Sequence, residues 1–143
     1  MKVLVINGAN LNMLGIREPE IYGSKTLKDL EGYIQEKATE IGVEATCVQS
    51  NYEGELVEYI QKALGKYDGI IINAGGYTHT SIVILDALKA VGLPCVEVHL
   101  SNIFEREEFR KHSYISLYAS KTICGKGFTG YAEALQFLKD NFS

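Results

Sequence analysis

Tryptophan is absent from this chain of 143 residues, and proline occurs only twice. No Pro-, Gly- or Ser-rich stretch is present, which excludes a flexible linker between domains. No apolar run approaches the roughly 20 residues of a membrane-spanning helix, so no membrane association is expected. Basic residues are in deficit, with 14 Lys and Arg against 18 Asp and Glu. Because no basic stripe is available to engage phosphates, nucleic acid is not expected as a main partner.

Cysteine is scarce, and the three thiols belong to Cys47, Cys95 and Cys124. They are odd in number, widely spaced and set in apolar or β-branched runs, and no C-x-x-C spacing occurs. This pattern predicts reduced thiols buried in the core of a cytoplasmic protein. Met1 leads directly into the strand-like run Lys2–Asn7 and not into a signal peptide, which agrees with a cytoplasmic location.

Strand-like runs alternate with helical patterns, and apolar residues make up 46% of the chain, which predicts a single catalytic domain over residues 1–143. The runs are continuously apolar, as is typical of a parallel sheet that is covered on both faces. In chain order they are Lys2–Asn7, Val43–Gln49, Gly69–Asn73, Pro94–His99 and Thr122–Cys124.

Four apolar stripes with helical spacing lie within residues 27–41, 56–64, 84–91 and 131–142, and we interpret them as core packing. Thr26 and Asp29 form a capping-box pattern before the first stripe, and Gly42 ends that stripe. The alternation predicts an α/β fold with right-handed crossovers. Specifically, we expect a flavodoxin-like, doubly wound, five-stranded parallel sheet of order 2-1-3-4-5 in a three-layer α/β/α arrangement.

Polar residues follow three of these strands, at the edge of the sheet where ligands bind in such folds. Segments 7–12, 73–80 and 97–102 are rich in amides, hydroxyls and imidazoles, which together favour a pocket for a polyhydroxy or carboxylate ligand. Dinucleotide, Walker-type and flavin phosphate loops are missing from the sequence. His79 and His99 lack a third ligand at metal-binding spacing, so no metal site is expected.

A long connection at residues 8–25 has no helical stripe, and residues 17–25 are predicted to be a lid over the pocket. This lid carries Arg17 and Tyr22. A tyrosine acts as a base only as phenolate, which is about 0.1% of an unperturbed phenol at pH 7. A cation beside the oxygen raises that fraction, so Arg17 is a candidate to activate Tyr22. Taken alone, the two residues also fit ordinary surface positions.

Longer segments form a specific pattern when they are taken together and in order along the chain. They are Asn7-Gly-Ala-Asn-Leu-Asn-Met-Leu-Gly-Ile-Arg-Glu-Pro-Glu-Ile-Tyr-Gly23, Gln49-Ser-Asn-Tyr-Glu-Gly-Glu55, Ile72-Asn-Ala-Gly-Gly-Tyr-Thr-His-Thr-Ser81, Val96-Glu-Val-His-Leu-Ser-Asn102, Arg106-Glu-Glu-Phe-Arg110 with Ser113 and Ser116, Ile123-Cys-Gly-Lys-Gly127 and Gly130-Tyr131. The pattern resembles the signature of the type II 3-dehydroquinate dehydratases over essentially the whole chain. Ala9 stands where that family usually has Pro, and Tyr52 stands where His is common.

The resemblance implies dehydration of 3-dehydroquinate to 3-dehydroshikimate, the third step of the shikimate pathway. It implies an anti elimination through an enolate, without a metal or an organic cofactor. Tyr22 would remove the C2 proton, and Arg17 would hold its phenolate form. Asn10 would fix a water near the ketone oxygen, where negative charge develops. His99, oriented by Glu97, would protonate the leaving C1 hydroxyl.

The resemblance also implies which residues bind the carboxylate and the ring hydroxyls of 3-dehydroquinate: Asn73, His79, Leu100 through its backbone, Ser101 and Arg110. It implies that Asp86 reaches the site of a neighbouring subunit in a dodecamer of four trimers. From the residues alone, Asp86 also fits a solvated helix position, and Glu97 also fits a structural salt bridge.

Two alternative functions stay open. Lys121 or Lys126, near the fifth strand, would be candidates for a Schiff base with the ketone. The chain would otherwise be a non-catalytic flavodoxin-like module for a nucleotide or a partner protein, because a fold does not fix a function. We expect a solvated helix face at Arg106, Glu107, Glu108 and Lys111.

Overall fold

The computed structural model describes residues 1–16, 20 and 24–143. Within them, five strands form one parallel sheet: β1 Lys2–Asn7, β2 Glu44–Gln49, β3 Gly69–Asn73, β4 Cys95–His99 and β5 Lys121–Cys124. The sheet order is β2-β1-β3-β4-β5, so the predicted order is confirmed. Asn7 and Asn73 are register partners at the carboxyl ends of β1 and β3.

The described part of the chain has four α-helices against this sheet: α1 Leu27–Glu40, α2 Glu53–Ala63, α3 Ile82–Val91 and α4 Thr129–Phe142. Helix α1 begins with the predicted capping box, in which the Asp29 N–H donates to Thr26 Oγ1 at 3.2 Å and the Thr26 N–H donates to Asp29 Oδ2 at 2.9 Å. Helix α3 ends at Gly92, whose φ of 70° is the left-handed conformation that glycine adopts at low cost.

The core lies in two apolar layers, one on each face of the sheet. Val3 and Val5 of β1 join the layer under α1 and α4, whereas Leu4 and Ile6 join the layer under α2 and α3. Successive strand residues point to opposite faces, so a strand buried on both faces is apolar throughout. This explains the continuous apolar runs and confirms the doubly wound α/β fold.

Some predicted core positions differ from the structure. Leu64 is 62% exposed because α2 ends at Ala63, one residue before it. Phe142 is 44% exposed in the last turn of α4. All three thiols are free, but only Cys95 is buried, whereas Cys47 and Cys124 are half-buried. Burial raises the pKa of Cys47 to about 12. Among the described residues, no helix is both long and apolar enough to cross a membrane.

Candidate active site

A pocket of about 190 Å³ opens at the carboxyl ends of β1, β3 and β4. Backbone and side chains from the loops after all three strands meet there, as the position of a ligand site in this fold requires. Its lining includes seven of the residues predicted for the site: Asn10, Asn73, His79, His99, Leu100, Ser101 and Arg110.

The loops after β1 and β3 touch backbone to backbone at the mouth of this pocket. A Cβ on Gly8 would lie 2.4 Å from the Ala74 carbonyl oxygen, and one on Gly75 would lie 2.4 Å from the Ala9 carbonyl oxygen. Gly75 also has a φ of 65°, a conformation that L side chains rarely adopt. Glycine at both positions therefore lets Asn10 and Asn73 share one wall of the pocket.

Residues at the carboxyl end of β2 hold Asn10 in place. Asn10 has a φ of 70°, and its N–H donates to Asn51 Oδ1 at 2.9 Å. Gln49 Nε2 donates to the same Asn51 oxygen and to the Gly8 carbonyl, each at 3.2 Å. Asparagine adopts the left-handed backbone conformation at low cost when local hydrogen bonds support it. Here those hydrogen bonds fix the backbone that carries the Asn10 side chain.

Glu97 lies fully buried within β4 and is surrounded by hydrogen-bond donors. Its Oε2 accepts from His99 Nε2 at 2.5 Å and from Ser113 Oγ at 2.6 Å. Its Oε1 accepts from Ser116 Oγ at 2.5 Å and from Thr122 Oγ1 at 3.1 Å. Burial raises the pKa of Glu97, but the hydrogen bonds outweigh burial, and the pKa lies below its ordinary value. Glu97 is therefore an ionised carboxylate at neutral pH.

The carboxylate of Glu97 determines which nitrogen of His99 is available to a ligand. Because an ionised carboxylate only accepts hydrogen bonds, Nε2 of His99 carries a proton and donates it to Glu97. Within the described residues, Nδ1 of His99 has no hydrogen-bond partner, and the ring lines the pocket. The pair has the geometry of a proton donor or acceptor whose ring is held by a buried carboxylate.

His79 lies on another wall of the pocket. Its Nδ1 donates to the His112 carbonyl oxygen at 2.7 Å, because a carbonyl can only accept. Burial lowers the pKa of His79, which keeps the ring neutral at pH 7 and leaves Nε2 as an acceptor. A ligand hydroxyl can donate to that nitrogen.

Arg110 supplies positive charge at the mouth of the pocket. Its Nε donates to Glu107 Oε2 at 2.7 Å. The backbone N–H of Glu107 and the nearby Arg110 guanidinium lower the pKa of Glu107. Arg110 keeps further donors on its guanidinium, and these suit a carboxylate of a ligand.

The prediction of a solvated helix face at residues 106–111 is wrong for Arg106. The structure has two short 3-10 turns there, Ile103–Glu105 and Glu108–Arg110, and Arg106 lines the pocket with its side chain only 14% exposed. The spacing of four residues between Arg106 and Arg110 was the available signal. That spacing does not by itself predict a pocket residue, because charged residues in a run usually face solvent.

Other predicted site residues lie apart from this pocket or outside the described residues. Asp86 is exposed on α3 and does not line the pocket. Arg17 and Tyr22 lie outside the described residues, as does most of the predicted lid. The hydroxyls around Glu97 received no role from sequence, although a carboxylate in an apolar strand requires such donors.

Fold and pocket together define a class: a flavodoxin-like α/β protein with a pocket at the carboxyl ends of its strands, lined by amide, imidazole and guanidinium side chains. Within that class, the family model described as Dehydroquinase class II matches residues 1–139. The chain belongs to the class II dehydroquinase family.

Individual relatives match over nearly their full length. A 3-dehydroquinate dehydratase of Clostridium acetobutylicum is 50% identical over 143 residues, covering 100% of this chain and 99% of the relative. One from Pelotomaculum thermopropionicum is 52% identical over 136 residues, covering 95% and 94%. The crystal structure of the type II dehydroquinase from Butyrivibrio crossotus superimposes with a TM-score of 0.95 at 46% identity, covering 97% of each chain. The likeness therefore extends over nearly the whole chain.

Proposed function

We propose that this protein dehydrates 3-dehydroquinate to 3-dehydroshikimate as a type II hydro-lyase. The observation that carries the proposal is the buried Glu97–His99 pair, whose imidazole lines the pocket. Relatives with that activity in their names match the chain from end to end, which supports the same substrate.

The chemistry begins with a proton on C2 of the substrate, next to the ketone. The Tyr22 phenolate, held by Arg17, takes that proton, and the electron pair moves onto the ketone oxygen as an enolate. Asn10 lines the pocket and supports this charge through a bound water. Its backbone is held by Asn51, so the amide needs little reorganisation during the reaction.

The elimination is completed when the enolate re-forms the ketone and expels the C1 hydroxyl. In this step His99 starts with a proton on both ring nitrogens and gives the one on Nδ1 to that hydroxyl, which leaves as water, while Nε2–H stays bound to Glu97. The new C1–C2 double bond is conjugated with the ketone. Transfer of the proton from Tyr22 back to His99 restores both groups.

The remaining pocket residues bind the unreactive parts of the substrate. Arg110 and Ser101, with the backbone at Leu100, bind the carboxylate. His79 accepts a hydrogen bond from a ring hydroxyl at Nε2. These contacts fix the ring so that C2 and C1 face their base and acid.

Schiff-base chemistry finds less support than the enolate route. Lys121 and Lys126 both pair with Glu133, at 3.6 and 2.7 Å, and neither lines the pocket. Borohydride added with 3-dehydroquinate is therefore expected to leave the mass of the protein unchanged. A non-catalytic binding module would instead be stabilised by flavin mononucleotide or a nucleotide in a thermal-shift assay, and not by 3-dehydroquinate.

We further propose a homododecamer in which Asp86 reaches a neighbouring pocket. Ile82 and Val83 on α3 are 53% and 50% exposed and lie beside Asp86, which suits a subunit contact. Light scattering should give about 190 kDa, twelve times the chain mass of 15.8 kDa. Ile82→Glu should lower that mass, and a fully active wild-type monomer would contradict the proposal.

The test of the reaction is the ultraviolet absorbance of the conjugated product. Wild-type protein with 3-dehydroquinate should give a rise, and Tyr22→Phe and Arg17→Ala should each reduce kcat by at least about 100-fold. Circular dichroism checks that the variants fold. Near-normal turnover by folded Tyr22→Phe would remove the tyrosine base from the mechanism and leave the reaction itself intact.

A further inference from the structure

Three buried polar side chains form a chain of hydrogen bonds beneath the pocket. Tyr131 of α4 is fully buried in the apolar layer under α1 and α4. Its hydroxyl donates to Asn7 Oδ1 at 2.7 Å, and Asn73 Nδ2 donates to the Tyr131 oxygen at 3.2 Å. A phenol has one proton, so an oxygen that gives it to Asn7 can only accept from Asn73.

This chain determines the orientation of the Asn73 amide. Asn73 Oδ1 accepts from the Gly75 N–H at 3.1 Å, and Nδ2 donates to Tyr131. Both atoms of the amide thus have a partner, and Nδ2 keeps a second hydrogen. Because Asn73 lines the pocket, a ligand meets an N–H donor at this position. If the amide turned over, the ligand would meet an acceptor instead.

Core stability does not explain Asn7 at this place. Asn7 is fully buried at the end of β1, directly after the apolar run from Val3 to Ile6, and within the described residues its Nδ2 has no hydrogen-bond partner. A buried unpaired amide group costs free energy that an apolar side chain would avoid. Asn7 accepts the Tyr131 proton and so directs it away from Asn73, which leaves the Tyr131 oxygen as an acceptor for Asn73. Burial also raises the pKa of Tyr131, so the hydroxyl keeps that proton.

We propose that Tyr131 is a positioning residue, which rests on the function proposed above. It acts through Asn73, whose Nδ2–H it presents to an oxygen of the substrate, and it does not touch the substrate itself. The pocket then favours a substrate that places a hydrogen-bond acceptor oxygen next to Asn73 Nδ2.

A double-mutant cycle tests this coupling. Tyr131→Phe should raise the KM for 3-dehydroquinate about tenfold, with kcat changed by less than about twofold, because an alternative amide orientation weakens binding. In the Asn73→Ala background, the same Tyr131→Phe change should alter kcat/KM less than about twofold. Tyr118→Phe is the matched control, because Tyr118 gives its hydroxyl proton to the Leu93 carbonyl at 2.7 Å, away from the pocket.

Equal losses in both backgrounds would overturn the proposal, since they would show that Tyr131 acts independently of Asn73. A KM for Tyr131→Phe equal to that of Tyr118→Phe would also overturn it. Tyr131→Phe leaves Asn7 Oδ1 without its donor, which could prevent folding. In that case the double variant Asn7→Leu with Tyr131→Phe removes this unpaired oxygen and should fold with the same raised KM. A normal KM in that double variant would contradict the proposal. Absence of turnover by wild-type protein would instead reject the proposed function.

Discussion

The two ends of the parallel sheet treat polar groups differently. In the described part of the chain, seven buried polar side chains lie at or beyond the carboxyl ends of the strands, and Glu97 lies in the middle of β4: the seven are Asn7, Ser50, Asn73, Thr78, Ser81, His99 and Ser113. At the amino end, Lys2, Glu44 and Asp68 are exposed. Asp68 there merely accepts the Lys2 N–H at 2.7 Å.

Buried polar groups toward the carboxyl ends of the strands lower folding stability, and the pocket lies at those ends. Burying Glu97 or Asn7 is unfavourable unless partners compensate, and an apolar residue would stabilise the sheet more simply. Polar groups at the amino end stay in water and incur no such cost. We therefore predict that substitutions at the carboxyl end lower turnover, whereas substitutions at the amino end change turnover and stability very little.

The largest expected effect is that of His99→Asn at the carboxyl end. Asparagine cannot shuttle a proton, so kcat should fall about 100- to 10,000-fold while the fold is kept. Steady-state kinetics with 3-dehydroquinate measures this, with circular dichroism as the control for folding. Loss of less than tenfold would exclude His99 as the acid.

Glu97→Gln should follow, with effects on both turnover and stability. In glutamine an NH₂ group, which is a donor, replaces one carboxylate oxygen and faces the hydroxyl or imidazole donors that now bind that oxygen. This mismatch should lower the free energy of unfolding by about 1–3 kcal/mol. We expect kcat to fall about 10- to 100-fold, because His99 loses its orienting partner. Glu108→Gln is the control, since Glu108 is exposed and pairs only with Lys111 among the described residues. Equal behaviour of the two variants would contradict the comparison.

Acid should destabilise the carboxyl end through Glu97. Folding lowers the pKa of Glu97 below its reference value of 4.5, so the unfolded chain takes up this proton first as the pH falls. The contribution of Glu97 to stability is complete above about pH 4.5 and is lost as the pH falls through the folded-state pKa. Urea unfolding at several pH values should show a shallower loss below pH 4.5 in Glu97→Gln than in wild type. Identical slopes would show that Glu97 has no part in acid stability.

The smallest effect is expected for Asp68→Asn at the amino end. This substitution changes an exposed contact, so stability should change by about 0.5 kcal/mol or less, and KM and kcat should stay at wild-type values. Thermal melting and the absorbance assay measure both. A tenfold change in turnover would show that the two ends are not separate.

Sequence was sufficient for the sheet because its strands are short apolar runs with sharp polar limits. β1 and β3 have the predicted bounds, and the three strand ends meet at one pocket because parallel strands share an edge. Exposure at Leu64 was not predictable, since a stripe does not show at which residue a helix ends.

Parts of the site depend on contacts between distant residues, and local patterns do not contain them. Tyr131 lies in an apolar helical stripe, where a tyrosine looks like core, and its partner Asn7 is 124 residues away. Arg106 appeared solvated in a run of charges, yet its side chain is mostly buried against the pocket. The family pattern includes both residues, but only the tertiary structure gives their contacts.

The most direct test of the account is to mix 3-dehydroquinate with the wild-type protein and follow the absorbance of the conjugated product. We predict many turnovers for each chain, loss of this activity in His99→Asn, and full activity in Asp68→Asn. No rise in absorbance with folded wild-type protein would contradict it and would favour a binding module built on the same fold.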